Sequence, residues 1–262
     1  MPGKKGYKRG ASFVKKVKEV VREELQDELE DKCAVIGFNQ TNIDTAAIPS
    51  GDVSASSNFI KLLPNIPQGD GQYNNRIGNE IRLKEIDIKM LLQYREGDSV
   101  DDTNYVNQTV GVRVMILRQK DNNDQVGFVE DAQTSKLLEN GSIIAPGPSN
   151  FSGSTINLVQ KINREQFSVR YDKVFYLDRS RRFNSGSSQL QFNRPPRPVV
   201  MSHKLKFGKQ GLKLTFGNGA SENPTNFPYV MVVGYASTES STVPDNNLLT
   251  YTYTANSVYT DA

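Results

Sequence analysis

Few side chains of this sequence have the type and spacing that catalysis or a soft-metal site requires. The chain has one histidine, His203, in the stretch MSHKLKF, and one cysteine, Cys33. A zinc centre or a Ser-His-Asp triad needs more imidazole or thiolate groups than these two residues supply. We interpret His203 as a structural or surface histidine, and we expect that the protein is not an enzyme.

Glycine-rich turns and acidic pairs also lack the surroundings that catalysis needs. The Gly-x-Gly stretches at 69–71 and 217–219 have neither the lysine nor the strand-to-helix context of a phosphate loop, so both are predicted to be turns. Asp101 and Asp102 occupy loop-like sequence, which is typical of solvated surface carboxylates. No small-molecule substrate is predicted.

The strongest chemical signal is positive charge near the N-terminus. Residues 1–22 carry eight cations against Glu19, so their net charge is 8 − 1 = +7, and the remaining chain sums to 3 − 7 = −4. Lysine and arginine bind phosphates without reading sequence, so this arm predicts sequence-independent nucleic-acid binding. The alternative is a solubilising tail. The candidate phosphate-binding residues are Lys4, Lys5, Lys8, Arg9, Lys15, Lys16, Lys18 and Arg22.

One segment has a clear helical period. Residues 1–11 have no apolar pattern and are predicted to be disordered, whereas from Ser12, a plausible N-cap, Val14, Val17 and Val21 recur every three or four positions. The spacing predicts an amphipathic helix over 12–31. Its cations precede its carboxylates, which is the unfavourable order for the helix dipole.

Beyond Lys32, short apolar or alternating runs are separated by Gly, Asn, Pro, Ser and Asp, the pattern of an antiparallel all-β sandwich. In 81–94 the alternation shifts by one residue between Leu83 and Ile86, which predicts a β-bulge. The segment 131–139 is predicted to be a short helix. Strands are predicted near 33–38, 57–63, 80–95, 107–119, 166–178, 199–207, 212–216, 227–238 and 248–260.

The sequence indicates one domain after the helix, spanning 32–262. The polar stretch 178–198 reads as a surface loop of that domain, and no internal repeat is found. No apolar run is long enough to cross a membrane, and the opening residues lack the apolar stretch of a secretory signal. We expect a protein kept in a reducing compartment.

Three stretches resemble a family of small viral capsid proteins. They are ELEDKCAVI (28–36), NIPQGDGQYNNRIGNEIRLKEIDI (65–88) and VYTDA (258–262). Following a basic arm and an amphipathic helix, this ordered set resembles the coat protein family of satellite tobacco necrosis virus. It also resembles the single jelly-roll capsid proteins of circular Rep-encoding single-stranded DNA (CRESS-DNA) viruses. The likeness covers most of the chain and is densest in 28–90 and 258–262.

The resemblance implies a single eight-stranded antiparallel jelly roll, sixty copies of which form a T=1 icosahedral shell around a single-stranded genome. The eight strands would run from 57–63 to 248–260, with 33–38 as an extra leading strand. The chain length is closer to the DNA-virus capsids, so DNA is favoured over RNA. The implied partners are other copies of the chain and the genome, and no membrane. The implied location is the virion, with the host nucleus or cytoplasm during assembly.

The resemblance also offers a reason for the reversed helix charges. In the family the N-terminal helices point into the shell, so the cationic residues 15–22 would face nucleic acid and the acidic residues 23–31 would approach the inner wall. The alternative is a helix that packs on its own domain, since the apolar stripe suits either burial.

Coat proteins of the satellite virus family bind calcium between subunits. By position, Glu30 and Asp261 would be carboxylate ligands, the backbone carbonyls of Ile77 and Glu80 would complete the site, and Asp70 would be a second candidate near a threefold axis. Oxygen-only ligands suit Ca²⁺. Here Ile77 stands where the satellite protein has serine, and Glu80 adds a carboxylate. The alternative is that Glu30 and Asp261 form salt bridges at an interface.

Two other functions remain open on the sequence. One is a soluble jelly-roll binding module, such as a lectin or a cytokine-like trimer. The other is a cellular nucleic-acid-binding protein that acts as a small oligomer. The basic arm disfavours the first, and particle formation separates both from a capsid protein.

Overall fold

The computed structural model describes eleven ranges of the chain, and the statements below concern these residues. Within them the protein is mostly antiparallel β-sheet. Residues 13–18, 20 and 21 are helical, and a short 3-10 helix covers Thr155–Leu158. The described ranges are 13–18, 20–21, 31–43, 59–69, 71–94, 109–120, 137–140, 147–178, 197–238, 244 and 248–261.

The described strands form two large sheets and one small one. Sheet A has the order β1-β11-β3-β8, with β9 also paired with β3; sheet B has the order β2-β10-β4-β7; and β5 pairs with β6. The strands are β1 (Lys32–Ile43), β2 (Phe59–Lys61), β3 (Glu80–Tyr94), β4 (Thr109–Gln119), β5 (Leu138–Asn140), β6 (Gly147–Ser149), β7 (Phe167–Asp178), β8 (Val199–Lys206), β9 (Leu212–Thr215), β10 (Tyr229–Ser237) and β11 (Leu249–Asp261).

All nine predicted strands are present, but the first has a different place from the one predicted. The stretch 33–38 is part of β1, which pairs antiparallel with β11. Lys32 lies opposite Tyr259 at one end of this pairing, and Ile43 lies opposite Leu249 at the other. β1 is therefore the edge strand of sheet A and not an extra leading strand. The predicted strands 199–207 and 212–216 correspond to β8 and β9. These two strands pair with successive parts of β3, so they follow one another along the same edge of it.

The bulge predicted in β3 is confirmed. The pairing of β3 with β11 skips Lys84, since Val258 lies opposite Glu85 and Tyr259 opposite Leu83. Ile81 and Leu83 point into the core before the bulge, and the buried positions resume at Ile86 after it. The carbonyl of Lys84 accepts a hydrogen bond from the amide of Phe207 at 3.1 Å, at the junction between β8 and β9.

The main core lies between the two sheets. Alternate residues of the central strands supply it, as the strict alternation of Val110, Val112, Val114 and Ile116 predicts. These side chains are fully buried. Facing them from sheet A is a layer of buried side chains that includes Ile86, Ile88, Met90, Tyr251, Tyr253 and Ala255.

Sheet B is also buried on its other face, which the sequence did not predict. A second apolar cluster combines alternate residues of β4 and β10, such as Met115 and Val232, with side chains of the segment 137–167. Glycines allow the close approach: a Cβ on Gly111 would lie 2.6 Å from Leu158, and one on Gly234 would lie 2.7 Å from Phe151. We call the described residues of this range, 137–140 and 147–167, the cover segment.

A buried arginine on β4 fastens the cover segment. The Nε and Nη2 atoms of Arg113 donate to the two carboxylate oxygens of Asp172, both at 2.8 Å. Its Nη1 donates to the carbonyls of Asn157 and Gln160 at 2.6 and 2.7 Å. Every nitrogen of the guanidinium therefore has a partner, which is what makes a buried charge tolerable.

Strand β7 changes face along its length, although its apolar residues alternate regularly in the sequence. Phe167 and Val169 pack in the second cluster, whereas Tyr171 and Phe175 pack against the main core. The change follows from a register shift against β4 that leaves Arg170 unpaired and rotates the later residues to the opposite face.

The helix predicted over 131–139 is wrong at its end. Leu138–Asn140 is a strand that pairs with Gly147–Ser149, and the buried side chains of Leu137 and Leu138 belong to the second cluster. Residues 131–136 lie outside the described residues, as do 179–196 of the predicted surface loop. Apolar contact with sheet B favours an extended pairing here over local helix propensity.

Candidate functional site

Part of the predicted basic helix lies within the described residues. Phe13–Lys18, Val20 and Val21 are helical, and Lys15, Lys16 and Lys18 are exposed on it. The apolar stripe is exposed too, between 44% at Val17 and 69% at Phe13. The described part of the chain therefore does not cover this stripe. The remaining candidates Lys4, Lys5, Lys8, Arg9 and Arg22 lie outside the described residues.

The chain enters sheet A through two lysine contacts. Asp31, the residue before β1, bonds Lys84 of β3 at 2.6 Å, two strands away across the sheet. Lys32 donates to the carboxylate of Asp261 at 2.5 Å and to the carbonyl of Asn75 at 2.9 Å. These contacts join the start of β1 to the end of β11 and to the loop before β3.

That loop, residues 68–79, is organised by a buried arginine. Arg76 is 0% exposed and lies over the ring of Phe216, 4.2 Å from its centroid. It donates to the carbonyls of Gly78 at 2.5 Å, Asn218 at 3.0 Å and Ser221 at 2.8 Å. Burial lowers the pKa of the guanidinium, and the Asp261 carboxylate acts in the opposite direction.

The same loop presents two large apolar side chains to solvent. Tyr73 is 74% exposed and Ile77 is 66% exposed. Because the Arg76 contacts and the hydroxyl of Tyr259, which donates to the carbonyl of Asn74 at 2.6 Å, hold the backbone, both side chains stand on a fixed loop. Fixed exposed aromatic and aliphatic groups are typical of protein–protein contacts.

Of the predicted calcium ligands, Asp261 and Ile77 are in contact, but the described ligands of one chain do not form a calcium site. Asp261 lies next to Ile77, but the contact is with the Ile77 amide, which donates to the carboxylate at 3.2 Å. The Ile77 carbonyl accepts a bond from Gln68 at 2.8 Å, and the ammonium of Lys32 occupies the position of a cation beside Asp261. A calcium shell needs six to eight oxygens.

The other predicted ligands do not complete this set. The Glu80 carboxylate bonds Lys213 at 2.8 Å on the neighbouring strand. Glu30 and Asp70 lie outside the described residues. A site between subunits would have to draw oxygens from a second chain and displace the Lys32 contact. The described contacts of Asp261 are a salt bridge to Lys32 and a bond from the Ile77 amide, both within one chain.

His203 makes a packing contact. Its ring lies 4.6 Å from that of Tyr171, where β8 of sheet A meets β7 of sheet B. Burial lowers the pKa of the imidazole, so the neutral form is favoured. This agrees with the interpretation of His203 as a structural residue.

Neither Lys32 nor Arg76 was predicted to have these roles. Arg76 has a sequence signal in the stretch R-x-G-x-x-I-R at 76–82, which marks a loop entering a strand. Lys32 has none, because its partner Asp261 is 229 positions away. Only the pairing of β1 with β11 brings them together.

The described residues contain no group of three or more His, Cys, Asp or Glu side chains arranged to hold a metal ion. Among the described helical residues, no helix is long and apolar enough to cross a membrane. The chain matches no protein-family model and no curated protein.

Proposed function

We propose that this protein is a viral capsid protein with a single jelly-roll shell domain, which assembles into a closed icosahedral shell around a single-stranded genome. The observation that carries the proposal is the strand order of the two sheets. It is joined by the basic arm that precedes the first strand and by the resemblance in 28–90 and 258–262.

The strand order supports a jelly roll. If β5 and β6 belong to the cover segment, and β8 and β9 form one interrupted strand, eight strands remain. When these eight strands are counted along the chain, sheet A contains the first, eighth, third and sixth in that spatial order. Sheet B contains the second, seventh, fourth and fifth. This interleaving of two antiparallel sheets is the double Greek key of jelly rolls, an architecture common among viral capsid and lectin domains.

The basic arm favours a capsid over a lectin. Residues 1–22 carry a net charge of 8 − 1 = +7 on a chain whose remainder is acidic, and such an arm suits phosphate contacts that ignore sequence. Many arms facing one interior would neutralise part of a packaged genome. Sixty copies and T=1 symmetry come from the resemblance, as does the preference for DNA over RNA.

Two exposed apolar features support self-assembly. The stripe on the helical residues 13–21 and the side chains of Tyr73 and Ile77 are uncovered by the described chain. Closed shells repeat the same contacts through symmetry, so each copy must carry complementary surfaces. We infer that other copies of this protein cover these groups.

Calcium remains a secondary proposal. One ion between subunits would use Glu30, Asp261 and the carbonyls of Ile77 and Glu80, and would compete with Lys32 for the Asp261 carboxylate. Asp70 is a candidate for a second ion near a threefold axis. The virion is the proposed location, with assembly in the host nucleus or cytoplasm.

Negative-stain electron microscopy of the full chain expressed alone tests the proposal. We expect uniform small shells that retain nucleic acid after nuclease digestion. Deletion of residues 2–22 should then give shells that have lost that nucleic acid. Dispersed monomers or trimers, at high and low calcium alike, would instead support the lectin-like or cellular oligomer alternatives.

A further inference from the structure

The outer faces of the two sheets differ in what covers them. The cover segment buries the outer face of sheet B, whereas the outer face of sheet A is open along most of β8. The exposed positions of β8 and its neighbours on this face are Lys89, Val200, Ser202, Lys204, Lys206 and Thr254. We call this surface the open face.

The open face has an excess of positive charge. Six cations and four carboxylates lie on it, so its net charge is 6 − 4 = +2, although the chain beyond residue 22 sums to 3 − 7 = −4. Three carboxylates are engaged in ion pairs, at 2.6 to 2.8 Å. The cations are Arg82, Lys84, Lys89, Lys204, Lys206 and Lys213, and the carboxylates are Asp31, Glu80, Glu85 and Asp87.

Two of these lysines have no ion pair among the described residues. Lys89 lies between Ser202 on β8 and Thr254 on β11, both small hydroxyl residues. Glu85 lies directly opposite Lys206, but its carboxylate bonds Lys204 at 2.7 Å. An unpaired ammonium flanked by hydroxyls suits a phosphate oxygen, because lysine, serine and threonine are common phosphate-contacting side chains.

The residue that precedes β1 lies over the same surface. The bond between Asp31 and Lys84 shows that the residue before β1 crosses toward β3 on the open face. The described chain therefore enters β1 on the face that carries Lys89 and Lys206. The cover segment lies on the far side of the sandwich.

We propose that the open face of sheet A is a second phosphate-binding surface, centred on Lys89 and Lys206, which contacts the same nucleic acid as the arm. The choice of nucleic acid as the partner rests on the proposed function. The contacts are to the backbone and carry no sequence preference, because lysines and hydroxyls on this surface present no aromatic platform for bases.

Salt dependence of binding tests the surface directly. The full chain, as free subunits verified by sedimentation, is titrated with a fluorescent oligothymidylate at several salt concentrations. The binding constant K falls as salt rises, and each lost phosphate contact makes the negative slope of log K against log salt shallower by about 0.7 for a single strand. We expect the double variant Lys89→Gln with Lys206→Gln to make this slope shallower by about 1.4. The double variant Lys89→Arg with Lys206→Arg keeps both charges and should leave the slope unchanged.

A matched control separates this surface from a general charge effect. Lys161→Gln with Lys173→Gln removes two exposed lysines, one on the cover segment and one on β7. This pair should leave the slope as in the wild type. Equal slopes for both glutamine pairs, whether reduced or not, would overturn the proposal.

The outcome is independent of whether shells form. If electron microscopy shows shells but the two glutamine pairs behave alike, the open face fails and the capsid proposal stands. If no shell forms but only the Lys89 and Lys206 pair lowers the slope, the surface stands on a nucleic-acid-binding protein that does not assemble.

Discussion

Two arginines are buried inside the protein, and each joins segments that are far apart in sequence. Arg76 holds the loop 68–79 against residues 216–221, and Arg113 holds the cover segment against sheet B. A buried guanidinium is tolerable only while its partners remain in place. Substitution at these positions therefore leaves carbonyls and carboxylates without a donor.

Replacing Arg113 with methionine should destabilise the protein by about 3 kcal/mol, because Asp172 and two carbonyls of the cover segment lose their donor. The measurement is the free energy of unfolding from urea titrations. Lys161→Gln, an exposed change on the cover segment, is the control and should change stability little. A loss no larger than that of the control would contradict the structural role of Arg113.

His203 should make stability depend on pH. Its folded-state pKa lies below the unfolded value of about 6.5. The unfolded chain therefore binds the proton more readily, so this contribution is complete above pH ~6.5 and is lost as pH falls through the folded-state pKa. We expect wild type to lose more unfolding free energy than His203→Gln between pH ~7.5 and ~5.5. Identical losses in urea titrations would refute this.

At the scale of elements, sheet B is a middle layer. Every residue of β10 is buried, because its alternate side chains enter the main core and the second cluster in turn. Strands buried on both faces read as continuous apolar runs, and MVVGYAS in β10 has this pattern. The cover segment and the glycines beneath it form one packing unit.

That packing predicts a specific coupling. Gly111→Ala should destabilise the protein by about 1–3 kcal/mol, because its Cβ would overlap Leu158. In the Leu158→Ala background the same substitution should cost much less, as a double-mutant cycle of urea midpoints would measure. Gly71→Ala is the control, since a Cβ there meets nothing within 4 Å. Additive effects of Gly111→Ala and Leu158→Ala would disprove the contact.

The first and last strands of the whole molecule's described domain are neighbours in sheet A. β1 and β11 pair along their length, and Lys32 with Asp261 joins their ends. Sheet A cannot be completed until the last strand exists, so its long-range pairing delays folding relative to local contacts. The same corner carries Asp261 and Ile77 of the predicted calcium ligands, together with the exposed side chain of Tyr73, and assembly would add further contacts there.

If calcium binds between subunits at this corner, purified particles should unfold at a lower temperature in chelator than in calcium. Asp261→Asn should remove that difference, because a neutral amide is a weaker calcium ligand than a carboxylate. Asp178→Asn, an exposed change at the end of β7, should retain it. The absence of both a calorimetric binding heat and a chelator effect would rule out the ion and leave Lys32 as the partner of Asp261.

Local sequence patterns were enough to predict several strands, their inward faces and the bulge in β3. The period-2 alternation of β3 and β4 predicted their strands and inward faces, and the shifted phase after Leu83 predicted the bulge. The charge of the arm is a property of sequence alone. These features follow from side-chain spacing along one strand or segment, so no partner needs to be known.

Only the tertiary structure decided which segments meet. Val169 and Tyr171 have the same alternation in sequence, yet the register against β4 sends them to opposite faces. β1 is an edge of sheet A because β11 lies beside it, and the same pairing brings Asp31 within reach of Lys84 on β3. Pairing, burial of both faces of sheet B and the Lys32–Asp261 contact depend on residues far apart in sequence, and periodicity contains no information about such distances.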